Sequence, residues 1–107
     1  MNLTALARDG WSFTQINRAG KLAGFFCVKG TEIHCYRLDD FAGRWITRQD
    51  LERLTKPIFN EYGEITTKVR TDNLQGHSFV KRLGFTATHD DGSNIHYQCK
   101  RLKHARH

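Results

Sequence analysis

The stretch KVRTDNLQGHSFVKRLGF, residues 68–85, decides the fold. It continues a run in which Ile65, Thr67 and Val69 alternate with polar residues, the pattern of a strand with one buried side. Asn73 ends that run and is a good helix N-cap. Residues 74–83 read as a short helix with Phe79, Val80 and Leu83 on its inner face. Gly84 closes the helix, and Phe85 carries the chain into the core and the next strand.

Upstream of this stretch, residues 47–62 read as a second helix. Thr47 is a suitable N-cap, and Asp50 suits the first turn. Leu51, Leu54, Ile58, Phe59 and Tyr62 recur at helical spacing and form one apolar face. Pro57 lacks a backbone donor and predicts a kink or restart. Gly63 is placed as the C′ residue.

Three strands precede that helix, at residues 11–16, 22–28 and 32–38. In the third, Ile33 and Cys35 fall on one face, and His34 and Tyr36 on the other. Turns at 17–21 and 29–31 join them, residues 2–9 have room for one or two helical turns, and 39–46 is a loop. Downstream, 85–88 is a strand and 89–94 a hairpin loop rich in turn residues. Ile95, Tyr97 and Cys99 alternate on a last strand over 94–102. The order β-β-β-α-β-α-β-β describes an α/β (α+β) fold: an antiparallel meander, then a crossover helix to a strand parallel to the third.

The chain has 107 residues and reads as a single domain over 1–107. No apolar run approaches the ~18 residues of a membrane span, and the start lacks the pattern of a signal peptide, so a cytoplasmic location is expected. Cys27, Cys35 and Cys99 lie far apart, each inside a strand, and read as small buried apolar residues; no metal site is expected. The net charge is +6, and part of the excess sits in a basic C-terminal tail over 100–107. Such a tail suits phosphate, which leaves a nucleic-acid partner open, although a solvated terminus has the same composition.

The strand-helix-strand order around Asn73 and Leu83-Gly84-Phe85 resembles the C-terminal half of the GCN5-related N-acetyltransferase (GNAT) family. The resemblance implies a GNAT-like mixed sheet that lacks most of the family's first strand and first two helices. It further implies acetyl-CoA as the cofactor of an enzyme. The family's phosphate-cradling loop falls on Asp40-Phe41-Ala42-Gly43-Arg44-Trp45. Gly43 matches the family's first glycine, Arg44 lies beside it, and Asn73 takes the position of the family's junction Asn; these are the candidate cofactor-binding residues. Asp40 and Trp45 depart from the pattern, one in charge and one in size. The family's Tyr general acid falls on Val80, which transfers no proton. Glu32 and His34 are the candidate bases, while His77, His96, Tyr36 and Tyr97 are further proton carriers without a specific signal.

A closer resemblance is to short GNAT-like proteins from the virion-assembly gene clusters of short-tailed bacteriophages. These look similar in the stretch 68–85 and in the loop His89-Asp90-Asp91-Gly92. That resemblance implies a non-catalytic accessory protein, without cofactor, that acts through protein contacts in head assembly, in the host cytoplasm or the virion. The contacts would use a protein partner or self-association on the sheet face left open by the missing helices, where apolar surface is expected. The alternative is an acetyl-CoA-dependent N-acetyltransferase with an altered site. The two differ in one geometric expectation: a splay between the third and fourth strands that is open to a ligand, or one filled by side chains such as Trp45.

Overall fold

The computed structural model describes residues 3–41 and 43–103. Its elements run α1 (Leu3–Arg8), β1 (Ser12–Arg18), β2 (Lys21–Lys29), β3 (Glu32–Arg37), α2 (Arg48–Tyr62), β4 (Ile65–Arg70), α3 (Leu74–Leu83), β5 (Thr86–Asp90) and β6 (Asn94–Cys99). The six strands form one sheet in the order β1-β2-β3-β4-β6-β5. All neighbours are antiparallel except β3 and β4, which the α2 crossover makes parallel. The last residues of the basic tail, 104–107, lie outside the described residues, as does Ala42 of the loop before α2.

One face of the sheet carries the core. Ile16, Phe26, Ile33, Ile65, Val69, Tyr97 and Cys99 point to the side on which Leu51 and Ile58 of α2 and Val80 and Leu83 of α3 pack. Phe85 and Leu102 complete this cluster at the exits of α3 and β6. Gly84 turns the chain at φ 106°, a left-handed conformation that glycine adopts without a Cβ penalty. Its N–H bonds back to the end of α3, and the next N–H, of Phe85, donates to Val80 C=O at 3.0 Å.

The opposite face divides into two halves. On β2, Ala23, Phe25 and Cys27 point to this side and are buried. The segment that leads into β1 lies here too, with the Trp11 ring 5.2 Å from that of His34. Across β4, β6 and β5 the same face carries Thr66, Lys68, Arg70, Asn94, His96, Gln98 and Thr86. The apolar part of the face is therefore covered, and its remainder is polar.

Several expectations need correction. Helix α2 runs through Pro57 without a break. Pro57 is exposed there, and only the carbonyl one turn earlier, at exposed Arg53, loses its donor. The apolar face of α2 ends before Tyr62, which is half exposed; Thr55 is buried instead, its hydroxyl donating to Leu51 C=O at 2.7 Å. Strand β5 extends to Asp90, through an irregularity after Ala87, so the hairpin loop is shorter than 89–94. Strand β6 ends at Cys99, because Leu102 turns into the core and Lys103 N–H donates to Leu83 C=O.

Candidate functional site: a cleft between parallel strands

The β3–β4 pair is bonded only at its start. Glu32 and Thr66 are its single register pair. Thr66 N–H donates to Thr31 C=O at 2.8 Å, and the hydroxyls of Thr31 and Thr66 lie 3.0 Å apart. Where the next ladder bond belongs, the Thr67 hydroxyl donates to Ile33 C=O at 2.6 Å. Beyond that point the strands part into a cleft of about 940 Å3, walled by β3, β4, α3 and Trp45. By strand alternation, backbone N–H and C=O groups of Cys35, Arg37 and Lys68 face the opening without a ladder partner.

Trp45 forms a side wall and leaves the splay open. Its ring lies over Gly24 of β2, where a Cβ would stand 2.5 Å from Trp45 Cζ3 and 2.0 Å from Tyr36 O. Absence of a side chain at Gly24 thus makes the slot that takes the indole.

Glu32 and His34 come together near the vertex. Glu32 Oε2 lies 2.7 Å from His34 Nε2 and 4.0 Å from Lys68 Nζ. A carboxylate only accepts, so Nε2 carries the hydrogen, and in the neutral ring Nδ1 then keeps the lone pair. His34, Lys68 and Asn73 all line the cleft. Asn73 also caps α3, accepting from Gly76 N–H at 3.0 Å. Gly43 and Arg44 are exposed and stand outside the cleft wall. The cations on the wall are Arg37, Lys68, Arg70 and Arg82, and Arg37 also holds the following loop by donating to Phe41 C=O at 2.6 Å.

The N-terminus of α2 is filled by the chain itself. Thr47 and Asp50 form a capping box, with Thr47 N–H donating to Asp50 Oδ2 and Asp50 N–H to Thr47 Oγ1, both at 3.0 Å. Asp50 is further paired with Arg18 and Arg53. An anion is therefore already in place at this helix end.

Proton carriers near α3 are turned away from the cleft. Val80 is buried. His77 Nδ1 meets Tyr97 Oη at 2.6 Å, beneath the helix, and burial pushes the Tyr97 phenol up. Cys35 lies on the wall, but burial, with Cys27 adding, pushes its thiol up to about 12, so it stays protonated. At the far edge, His96 stacks on His89 with ring centroids 4.0 Å apart and bonds Asp91. Among the described residues, no three His, Cys, Asp or Glu side chains converge on a metal position.

No protein-family model and no curated protein sequence matches the chain. Solved structures do. A PaiA N-acetyltransferase from Thermoplasma acidophilum, in complex with coenzyme A, superposes with TM-score 0.67 at 20% identity. A GCN5-related N-acetyltransferase from Rhodopseudomonas palustris does so with TM-score 0.66 at 20% identity. Each match covers 90% of this chain and 65% of the other. The fold is GNAT-like. The splay between β3 and β4 stands open, and one short helix, α1, lies ahead of the meander among the described residues.

Of the sequence candidates, His34 and Asn73 line the cleft and Glu32 bonds His34 at its vertex, while Lys68, Arg70 and Arg82 on the wall carried no motif signal in the sequence. Lys68 was within reach. Ile65, Thr67 and Val69 face inward, so Lys68 shares the His34 side once the strands are parallel. Only the register was lacking.

Proposed function

We propose that the chain binds a coenzyme A thioester in the β3–β4 cleft and transfers its acyl group to an amine, as an acetyl-CoA-dependent N-acetyltransferase. The observation that carries this reading is the open splay with unpaired backbone edges beside the Glu32–His34 pair. An amide-bearing pantetheine arm is matched to those edges, pairing as an added strand would. Arg37, Arg70 and Arg82 offer charge to phosphates in place of the α2 N-terminus, and Asn73 offers its carboxamide N–H at the mouth. Gly43 and Arg44 reach only a part of the ligand that extends beyond the wall.

Bound there, acetyl-CoA supplies an acyl group activated on sulfur. His34 Nδ1 accepts the proton that an attacking amine sheds, and Glu32 orients the ring and stabilises its charged form. Val80 offers no proton, so protonation of the departing sulfur is left to solvent. Calorimetric titration with CoA, acetyl-CoA and ATP tests the reading. Saturable micromolar binding of the CoA compounds, and not of ATP, supports it; no binding at millimolar ligand overturns it.

A second reading keeps the fold and drops the chemistry. In it the chain is a GNAT-shaped accessory protein that makes protein contacts in head assembly of a short-tailed phage, in the host cytoplasm or the virion. Buried Val80 and the self-filled α2 N-terminus favour it. Its contact surface is the sheet face away from α2 and α3, with half-exposed Tyr36 upon it. Light scattering across a concentration series, with Tyr36→Lys as the variant, reads self-association through that face.

A further inference from the structure

The geometry points to Lys68 as an acceptor in its own right: we propose that the chain acylates its own Lys68 from an acyl-CoA. The inference rests on the ligand placement proposed above. Lys68 is the one lysine on the cleft wall. Its Nζ stands 4.0 Å from Glu32 Oε2, the same oxygen that bonds His34 Nε2 at 2.7 Å. Amine, carboxylate and imidazole therefore converge on one point, where β3 and β4 part. The side chain is 44% exposed, and Glu32 is the carboxylate that its tip meets. Backbone groups of the same residue border the splay, which places a thioester bound along that edge within the reach of a lysine side chain.

The step balances without a further reagent. The Lys68 ammonium gives a proton to the Glu32–His34 pair, and Nζ attacks the thioester carbonyl carbon. The N–C bond forms and the C–S bond breaks. The amide nitrogen releases its second proton, one proton ends on the thiol of free CoA, and the other goes to solvent. The product side chain is neutral, so the ion pair with Glu32 is lost and an acylamide lies across the vertex. Lys68 thus marks where an external primary amine would stand, and its acylation closes that place.

The test is mass mapping of the purified full chain after incubation with acetyl-CoA. Lys68 should gain one acetyl group at least about tenfold faster than Lys21, Lys29, Lys56, Lys81, Lys100 or Lys103, as held reactants do. The rate should saturate with acetyl-CoA and be independent of protein concentration. Glu32→Gln and His34→Gln, each checked for folding by circular dichroism, should slow it by roughly 100-fold. Acetylation spread evenly over the lysines, or a Lys68 rate linear in acetyl-CoA and unchanged in both variants, overturns the proposal. Wild-type selectivity alone decides the matter if a variant fails to fold. Calorimetric CoA binding with Lys68 unmodified overturns this inference and leaves the proposed function standing; absence of both overturns the two together.

Discussion

The hydroxyl of Thr67 donates to the carbonyl of Ile33 across 2.6 Å, where the β3–β4 ladder stops. Both residues are buried, and Thr67 is one of only two buried polar residues among those described. The bond closes the vertex of the cleft and satisfies a carbonyl that would otherwise be orphaned there. Thr67→Val should cost about 1–3 kcal/mol, the range for a buried group left without its partner. Thr67→Ser, which keeps the hydroxyl, should cost less than Thr67→Val. Urea unfolding of the three proteins measures this. Equal stability of the Val variant would mean that the vertex is held by Thr31 and Thr66 alone.

Gly24 is expected to tolerate no side chain. A Cβ there lies 2.0 Å from the Tyr36 backbone oxygen and 2.5 Å from the Trp45 ring. Gly24→Ala should lower stability by about 1–3 kcal/mol, the usual cost of overpacking. Pairing it with Trp45→Ala should not restore stability, because the backbone contact remains. Thermal melts followed by circular dichroism read both effects, and tryptophan fluorescence reads the displacement of Trp45 in Gly24→Ala alone.

Cys35 should be inert although it lies on the cleft wall. With its thiol pushed up to about 12 by burial, roughly one molecule in ten thousand carries the thiolate at pH 8, and the thiolate is the reactive form. Iodoacetamide labelling of the native chain should spare Cys35, as it should the buried Cys27 and Cys99. Unfolded protein should label at all three. Rapid native labelling at Cys35 would instead make it a reactive nucleophile on the cleft wall.

The parts of this molecule that were legible in the sequence are those set by local rules. Alternation in Ile65, Thr67 and Val69, the Asn73 cap and the Gly84 exit each rest on near neighbours, and each stands in the structure. Thr47 and Asp50 likewise announce their capping box. What the sequence did not show is relational. The position of Trp45 at the side of the splay depends on a slot at Gly24, on the strand next to β3. Likewise, the partnership of Lys68 with Glu32 depends on a register that only the folded sheet fixes. Tyr62 misled because helical spacing counts residues and not the width of the sheet beneath them.

The β5–β6 hairpin should lose stability in acid through Asp91. Its carboxyl is held well below the ordinary carboxylate value, first by the hydrogen bond from His96 and then by the backbone N–H groups of Asn94 and Ser93. Oδ2 lies 2.7 Å from His96 Nε2, and Oδ1 accepts from Ser93 at 2.9 Å and Asn94 at 2.8 Å. A carboxyl depressed in the folded state binds its proton more readily when unfolded, so its contribution is complete above the unfolded value of 3.8. It fades as pH falls from there through the folded value. Asp91→Asn should therefore melt below the wild type near pH 7, with the gap narrowing once the pH drops under about 4. Melting curves across that range decide it: a gap that stays constant into acid would show that the Asp91 charge contributes nothing and that the loop is held by the shape of its turn alone.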